Sequence, residues 1–332
     1  MIILGIETSC DETAASLVSE GKKILSSVVS SQIEVHHPYG GVVPELASRK
    51  HIEAIDYVVN DAVRQSGLSL QRIDAVAVTQ GPGLVGSLLV GFCFAKGFAY
   101  ALDRPWIGIN HLEGHINSVF LTDDPPPFPF VALLVSGGHT SIYHVKSHTK
   151  SKIMGQTRDD AAGEAFDKVS KMLGLGYPGG TIIDRLAKKG NSQSIRFPRS
   201  YLDKSKFDFS FSGIKTSVSR YIQTHDIYQE QIPDIVASFQ EAAVDVLTYK
   251  IINAARETGC SHIALVGGVA ANSRLRARLT QDASAEGFHV HIPPLELCGD
   301  NAAMIAATGY HYLIKGITSD INQDVYSRLM PA

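Results

Sequence analysis

What most constrains this chain is that its pattern of strands and helices occurs twice. Residues 2–6 (IILGI) are an apolar run, 7–12 a polar loop, 13–19 (TAASLVS) a second strand and 24–30, after the turn at 20–23, a third. Short apolar runs separated by polar turns read as an antiparallel meander. The same order returns at residue 130: a strand over 130–135, the Gly-rich loop 136–139 (SGGH), a strand over 140–146 and a third over 151–157. Each meander is followed by strand and helix in alternation. In the first half these are 74–79 (DAVAVT), the loop 80–83 and an apolar helix to about 101; in the second they are 262–266, the loop 267–272 and a helix through 279. Each half then adds one more strand and helix, 106–109 into 111–120 and 289–292 into 299–313. Self-similarity of this kind marks a duplicated folding unit.

A meander followed by strand–helix alternation, made twice, is the α/β pattern of the two-lobed actin-like and sugar-kinase-like architecture, a duplicated ribonuclease H-like unit with a nucleotide cleft between the lobes. The expected division is a first lobe over 1–122, a linker over 123–129 and a second lobe over 130–332. The linker is Pro-rich, hence stiff and unable to continue a helix. The second lobe carries an insertion at about 158–235 with no counterpart in the first half. Within it, 207–216 (FDFSFSGIKT) alternates like a strand.

His111 and His115 follow the apolar run 106–109 in the stretch HLEGH. Residues four apart share a helix face, so both imidazoles project together and can hold one metal ion. Two neutral histidines are half a site, and a carboxylate is the usual completing ligand for iron, zinc or manganese. The duplication points to Asp300, because the helix after Pro293 and Pro294 stands in the second half where HLEGH stands in the first. The two helix starts are then expected to face each other across the cleft. Asp in such a place is also an ordinary N-cap, and in a chain with 13 His a pair at this spacing also occurs on a solvated face. A zinc peptidase is disfavoured: its H-E-x-x-H motif needs Glu directly after the first His, where this chain has Leu112, and Glu113 falls on roughly the opposite side of the helix.

Three polar turns stand at matched places and suit phosphate: 7–11 (ETSCD), 135–140 (VSGGHT) and 266–272 (VGGVAAN). Turns rich in Gly bring backbone N–H groups close to a phosphate with no side chain in the way. Asn272 can hydrogen-bond an adenine edge or cap its helix. Asp167 and Asp184 suit ribose hydroxyls, or are solvated helix charges, and the turn at Gly179 and Gly180 lets a flat base lie close.

With 44% hydrophobic and 19% charged residues the composition is that of an ordinary soluble globular protein. The four cysteines form no C-x-x-C pair, which argues against a zinc ribbon or a disulfide framework and fits a reducing compartment. The acidic start (Glu7, Asp11, Glu12) lacks the basic region of a secretory signal. No stretch reads as long and apolar enough to span a membrane, so a cytoplasmic protein is expected. A net charge of −3 makes the whole chain no magnet for nucleic acid. Local basic density at 185–206, which includes Lys204, and at Arg274, Arg276 and Arg278 permits an RNA contact.

The motifs ETSCDET (7–13), HHPYGGVVPELASRKH (36–51), TQGPGLVGSLLVG (79–91), NHLEGHINS (110–118), LVSGGHT (134–140), DDAAGEAFDKVSKMLGLGYPGG (159–180), FSFSGIKT (209–216), GGVAANSRLR (267–276) and the turn at 298–301 together resemble the TsaD family, the tRNA adenosine threonylcarbamoyltransferases once labelled glycoproteases. The resemblance runs from the first strand to the last helix. It implies transfer of the threonylcarbamoyl group from threonylcarbamoyl-adenylate to the exocyclic amine of the adenosine beside the anticodon of tRNA, with release of AMP. It further implies that His111, His115 and Asp300 hold one divalent metal, iron being the ion usually assigned and zinc the other. Leu134, Val135, Ser136, Gly137, Gly138, Asp167, Gly180, Asp184 and Asn272 are implied to form the adenylate pocket. Asp11, and after it Glu12, are expected nearest the attacking amine, at the tip of the first loop. Bacterial members work with a paralogue, TsaB, an ATPase, TsaE, and a synthase, TsaC, that makes the adenylate. The rival readings are an ATP-dependent small-molecule kinase of the same fold, a metallopeptidase, and a nucleotide-switched scaffold without turnover.

Overall fold

The computed structural model describes residues 1–201 and 206–328, so Lys204 of the basic stretch lies outside the described residues. The chain forms two compact units, one from Met1–Pro125 with Pro293–Ala332 and one from Pro126–Ile292.

The first unit is built on strands β1 (Ile2–Glu7), β2 (Glu12–Ser19), β3 (Lys23–Ser31), β4 (Ala75–Gly81) and β5 (Trp106–Asn110), in the order β3-β2-β1-β4-β5. The meander pairs antiparallel, whereas β1–β4 and β4–β5 are parallel. Parallel neighbours need a crossover on a sheet face, and β1 is accordingly apolar on both sides. Leu4, Ile6, Val76 and Val78 face one core with Phe92 and Trp106, whose rings meet edge to face at 5.2 Å. Ile3, Ala75 and Ala77 face another.

Between β3 and β4 come the single turn α1 (Ile33–His36) and the long α2 (Pro44–Ser66). Sequence reading assigned no helix over the latter, although its ends are marked: Pro44 needs no N–H in the first turn, and Gly67 closes the other end at φ +70°. Helix α3 (Val85–Leu102) contradicts the expectation that no stretch is apolar enough to cross a membrane: its 18 residues have a mean hydropathy of 1.6. Its inner face packs on β4 and α2, yet only 33% of those residues are buried.

Helix α4 (His111–Asn117) follows β5 without a gap. In the second unit β6 (Phe130–Val135), β7 (Thr140–Ser147), β8 (Lys150–Gln156), β9 (His262–Val266) and β10 (His289–His291) repeat the first sheet's order, as β8-β7-β6-β9-β10. The stretch after β8 holds α5 (Ala162–Met172), α6 (Gly179–Ala187) and α7 (Ser212–Thr224). The strand-like alternation at 207–216 therefore ends in a helix; Phe209 and Phe211 are core residues, and Phe209 makes only an isolated bridge to Thr157. Helix α8 (Ile232–Thr258) is the crossover from the meander to β9, and α9 (Ser273–Ala285) that from β9 to β10.

Helix α10 (Ala302–Leu313), placed by sequence in the second lobe over 130–332, packs on the first sheet instead. The reason is its run of small residues. A Cβ on Gly5 of β1 would lie 2.1 Å from the Ala302 carbonyl, and one on Gly309 would lie 2.5 Å from the Ala77 methyl, so helix and sheet meet almost backbone to backbone. On its other flank, Ile305 and Met304 pack over Gly114 of α4. The start of α10 and the start of α4 thus belong to one unit.

Candidate functional site

Three donor groups converge where α4 and α10 begin. His111 opens α4 and His115 lies one turn on, both buried; Asp300 precedes α10 with its side chain 20% exposed. His115 Nε2 lies 3.1 Å and His111 Nε2 3.5 Å from Asp300 Oδ1, and the three ligand atoms all fall within 4.8 Å of one another. Asn110 caps α4, its Oδ1 accepting from Leu112 and Glu113 N–H at 2.9 and 3.2 Å, and Asn301 caps α10 through Met304 N–H at 3.0 Å. Asp300 is therefore not the cap that was its alternative role; Asn301 takes that position and leaves the carboxylate free to face the histidines.

A third carboxylate stands behind them. Glu7, at the end of β1, accepts from His111 Nδ1 at 2.9 Å and also from the Thr79 hydroxyl and the Ser9 N–H. Sequence reading treated Glu7 only as part of a phosphate-type turn. Its signal was a lone acid ending an otherwise apolar strand. Burial alone would lower the proton affinity of His111, but the Glu7 and Asp300 charges raise it well above the imidazole range. Burial likewise pushes Asp300 up, and the two histidines outweigh it and hold the carboxyl well below its usual range.

The donor set suits a divalent metal. Two imidazoles and one carboxylate on one side of an ion leave positions open for substrate, and Glu7 on Nδ1 of His111 turns Nε2 outward, as carboxylate–histidine–metal arrangements do. A dication would replace the positive charge that His111 otherwise carries between two carboxylates.

The loop before β2 carries Asp11, buried, and Glu12 opens that strand. Burial first, then the Asp300 and Asp11 charges, push the Glu12 carboxyl up to about 9, so this group keeps its proton near neutrality. The loop is held from four sides: Thr8 Oγ1 donates to Ser87 O, Leu84 N–H to Ser9 O, His51 Nε2 to Cys10 O at 2.9 Å and Gln32 N–H to Asp11 O. His51 and Gln32 lie in and beside the 36–51 motif, whose local role sequence reading left unassigned.

In the second unit Leu134 and Val135 are fully buried at the end of β6, and Ser136, Gly137 and Gly138 form the turn. Gly163 N–H donates to Ser136 O and Glu164 N–H to Gly137 O, tying that turn to the start of α5. A Cβ at Gly137, Gly138 or Gly180 would meet nothing within 4 Å, whereas one at Gly267 would lie 2.5 Å from Val135 O. Asp167 accepts from Gly179 N–H at 2.8 Å, and Asp184 from both the N–H and the hydroxyl of Ser273. Asn272 caps α9 through Leu275 N–H and donates to Gln240 Oε1 at 2.8 Å. These residues are thus brought into one hydrogen-bonded neighbourhood with an open glycine surface. Asp11, Glu12 and the metal group are brought together separately, in the first unit.

A duplicated sheet unit of this order, with a buried His-His-Asp group in one copy and a glycine-lined turn in the other, defines an actin-like protein equipped for a divalent ion. Solved structures agree on the fold: HypF of T. kodakarensis (TM-score 0.65, 14% identity, covering 95% of this chain and 48% of that one) and component A of the Acidaminococcus fermentans (R)-2-hydroxyglutaryl-CoA dehydratase (TM-score 0.56, 15% identity, 95% and 99%). The family model "TsaD: tRNA N6-adenosine threonylcarbamoyltransferase" matches residues 23–307. Relatives of that name from Desulforapulum autotrophicum (60% identical, 99% of each chain) and Clostridioides difficile (51%, 99% of this chain and 98% of that one) align over nearly the whole length. The chain belongs to the TsaD family, and it is a threonylcarbamoyltransferase acting on adenosine in tRNA. The kinase and peptidase readings are not favoured.

Proposed function

We propose how this chain's residues share that transfer. The donor is threonylcarbamoyl-adenylate, whose AMP portion is received by Leu134, Val135, Ser136, Gly137, Gly138, Asp167, Gly180, Asp184 and Asn272. The adenosine N6 attacks the carbamoyl carbonyl carbon, a C–N bond forms as the bond from carbon to the phosphate oxygen breaks, AMP leaves and N6 gives up one proton to the Asp11 carboxylate. His111, His115 and Asp300 hold a divalent ion, iron first and zinc second, which supplies Lewis acidity toward an oxygen of the donor. Turn N–H groups at 136–138 stabilise developing negative charge. Asp11 takes the place beside the attacking amine, with Glu12, which burial keeps protonated, next to it. The observation that carries this reading is the convergence of both Nε2 atoms on Asp300, with Glu7 fixing His111 from behind.

A TsaB-type paralogue is the protein partner we propose, and α3 and α2 offer exposed apolar side chains to it, among them Val85, Leu89, Tyr100, Ile52 and Tyr57. A TsaE-type ATPase and a TsaC-type synthase, which supplies the adenylate, complete the system in the cytoplasm, with no membrane attachment. The test is incorporation of radiolabelled threonine into tRNA by the purified chain with these partners, bicarbonate and ATP. Wild type should transfer and the His111→Ala, His115→Ala double variant should not. Equal transfer by both would overturn the metal assignment.

A further inference from the structure

We infer that residues 319–326, near the C-terminus, form a strap that positions the metal helix α4, with the Tyr326 hydroxyl as its working end. The inference rests on the metal reading above. β5 is the last strand of its sheet, and the strap runs along its open side: Ser319 N–H donates to Trp106 O and Gly108 N–H to Ser319 Oγ, both at 2.9 Å. Lys96 Nζ donates to the carbonyls of Ile321 and Gln323 at 2.9 and 2.6 Å, and Gln80 Nε2 to that of Asp324 at 2.7 Å. Covering an unpaired strand edge is sufficient reason for the first part of the strap. It does not account for the last part, which reaches the ends of both β4 and β5.

There Tyr326 N–H donates to Gln80 O, and its ring and carbonyl close over Gly81, where a Cβ would lie 2.1 Å from the Tyr326 oxygen. The Tyr326 hydroxyl accepts from Asn110 Nδ2 at 3.1 Å. Asn110 is the residue whose Oδ1 caps α4. An amide held by its nitrogen cannot turn its oxygen away from the helix, so the hydroxyl fixes the cap. His111 is the next residue, and α4 has only seven residues, so a small rotation at the cap moves both imidazoles. The matched family model stops at residue 307, before the strap begins.

The test uses the full chain, freed of metal and titrated with Co2+ alone while its visible absorption is followed. Tyr326→Phe should weaken binding by roughly three- to tenfold and change the absorption band, as loss of an outer partner does. Asn110→Ser keeps a capping oxygen but cannot reach Tyr326; adding Tyr326→Phe to it should cost nothing more. Tyr310→Phe, whose hydroxyl bonds Glu20 instead, should bind as wild type. Full additivity of the two substitutions, or wild-type Co2+ binding by Tyr326→Phe, would overturn the strap. Absence of Co2+ binding by wild type would overturn the metal reading, and amide exchange then decides the strap alone: faster exchange at Leu112 and Glu113 in Tyr326→Phe supports it, and unchanged exchange refutes it.

Discussion

The Glu7 carboxylate and the His111 imidazole meet at 2.9 Å in a buried setting, whereas Nδ1 of His115 is buried with no hydrogen-bond partner among the described residues. The two histidines are therefore held unequally: His111 is fixed from behind through Nδ1 by Glu7, whereas His115 is held through Nε2, by Asp300. Glu7→Gln keeps the shape and removes the charge. It should weaken divalent metal binding by roughly 10- to 100-fold, the usual cost of losing such a partner, as read by competition with a chelator. Unchanged affinity would show that His111 needs no help from Glu7.

The glycines of the second unit separate steric need from ligand access. Gly267 sits at φ +93° with Val135 O beside it, so Gly267→Ala should destabilise the chain by about 2 kcal/mol or more. Gly138 has open space where its Cβ would be, so Gly138→Ala should melt like wild type yet bind AMP at least roughly tenfold more weakly, the added methyl standing where backbone must approach phosphate. Calorimetry on the free proteins and with AMP checks both. Wild-type AMP affinity in Gly138→Ala would remove that turn from the adenylate pocket.

The duplication was legible because each meander and each strand–helix step carries its own apolar rhythm, and the identical strand orders of the two sheets follow from it. The grouping of His111, His115 and Asp300 was legible as well, but for a mistaken geometric reason. Asp300 was reached by supposing that two equivalent helix starts face each other from different lobes, whereas α10 lies on the first sheet beside α4. Periodicity says which residues are apolar, not which sheet a helix covers; that was decided by Gly5 and Gly309, single positions whose meaning depends on what packs against them. Glu7 and His51 were invisible as partners for a related reason, since each acts across the fold, on His111 and on Cys10 O.

His311 on α10 gives a pH prediction. Burial first, then Lys22 and Lys315, lower its proton affinity to about 4, below the unfolded value of 6.5. Between these values the unfolded chain binds the extra proton, so stability is fully present above pH 6.5 and is lost as pH falls toward 4. His311→Gln should flatten that part of the profile in urea unfolding, by roughly 2 kcal/mol at most once solvent screening of this partly exposed ring is discounted. Identical pH profiles for the two proteins would contradict the assignment.

The loop bearing Asp11 and Glu12 depends on a hydrogen bond from α2. His51→Ala removes the donor to Cys10 O and leaves Thr13 Oγ1, now 2.7 Å from the His51 ring, without that contact. A loss of roughly 1–3 kcal/mol in stability is expected, together with a fall in the rate of transfer larger than any change in AMP binding, because the residues proposed to receive the adenylate lie in the other unit. A variant that lost AMP binding and kept its transfer rate would break the link between loop and chemistry.

The most direct test of the central claim is single-turnover transfer from preformed threonylcarbamoyl-adenylate to tRNA, by the chain with its bacterial partners, stripped of metal and then restored with one equivalent of Fe2+ or Zn2+. Wild type should lose transfer on stripping and regain it with one ion per chain, while Asp300→Ala should regain none. Full transfer by the stripped protein, or restoration of Asp300→Ala to the wild-type rate, would contradict a transferase working through His111, His115 and Asp300.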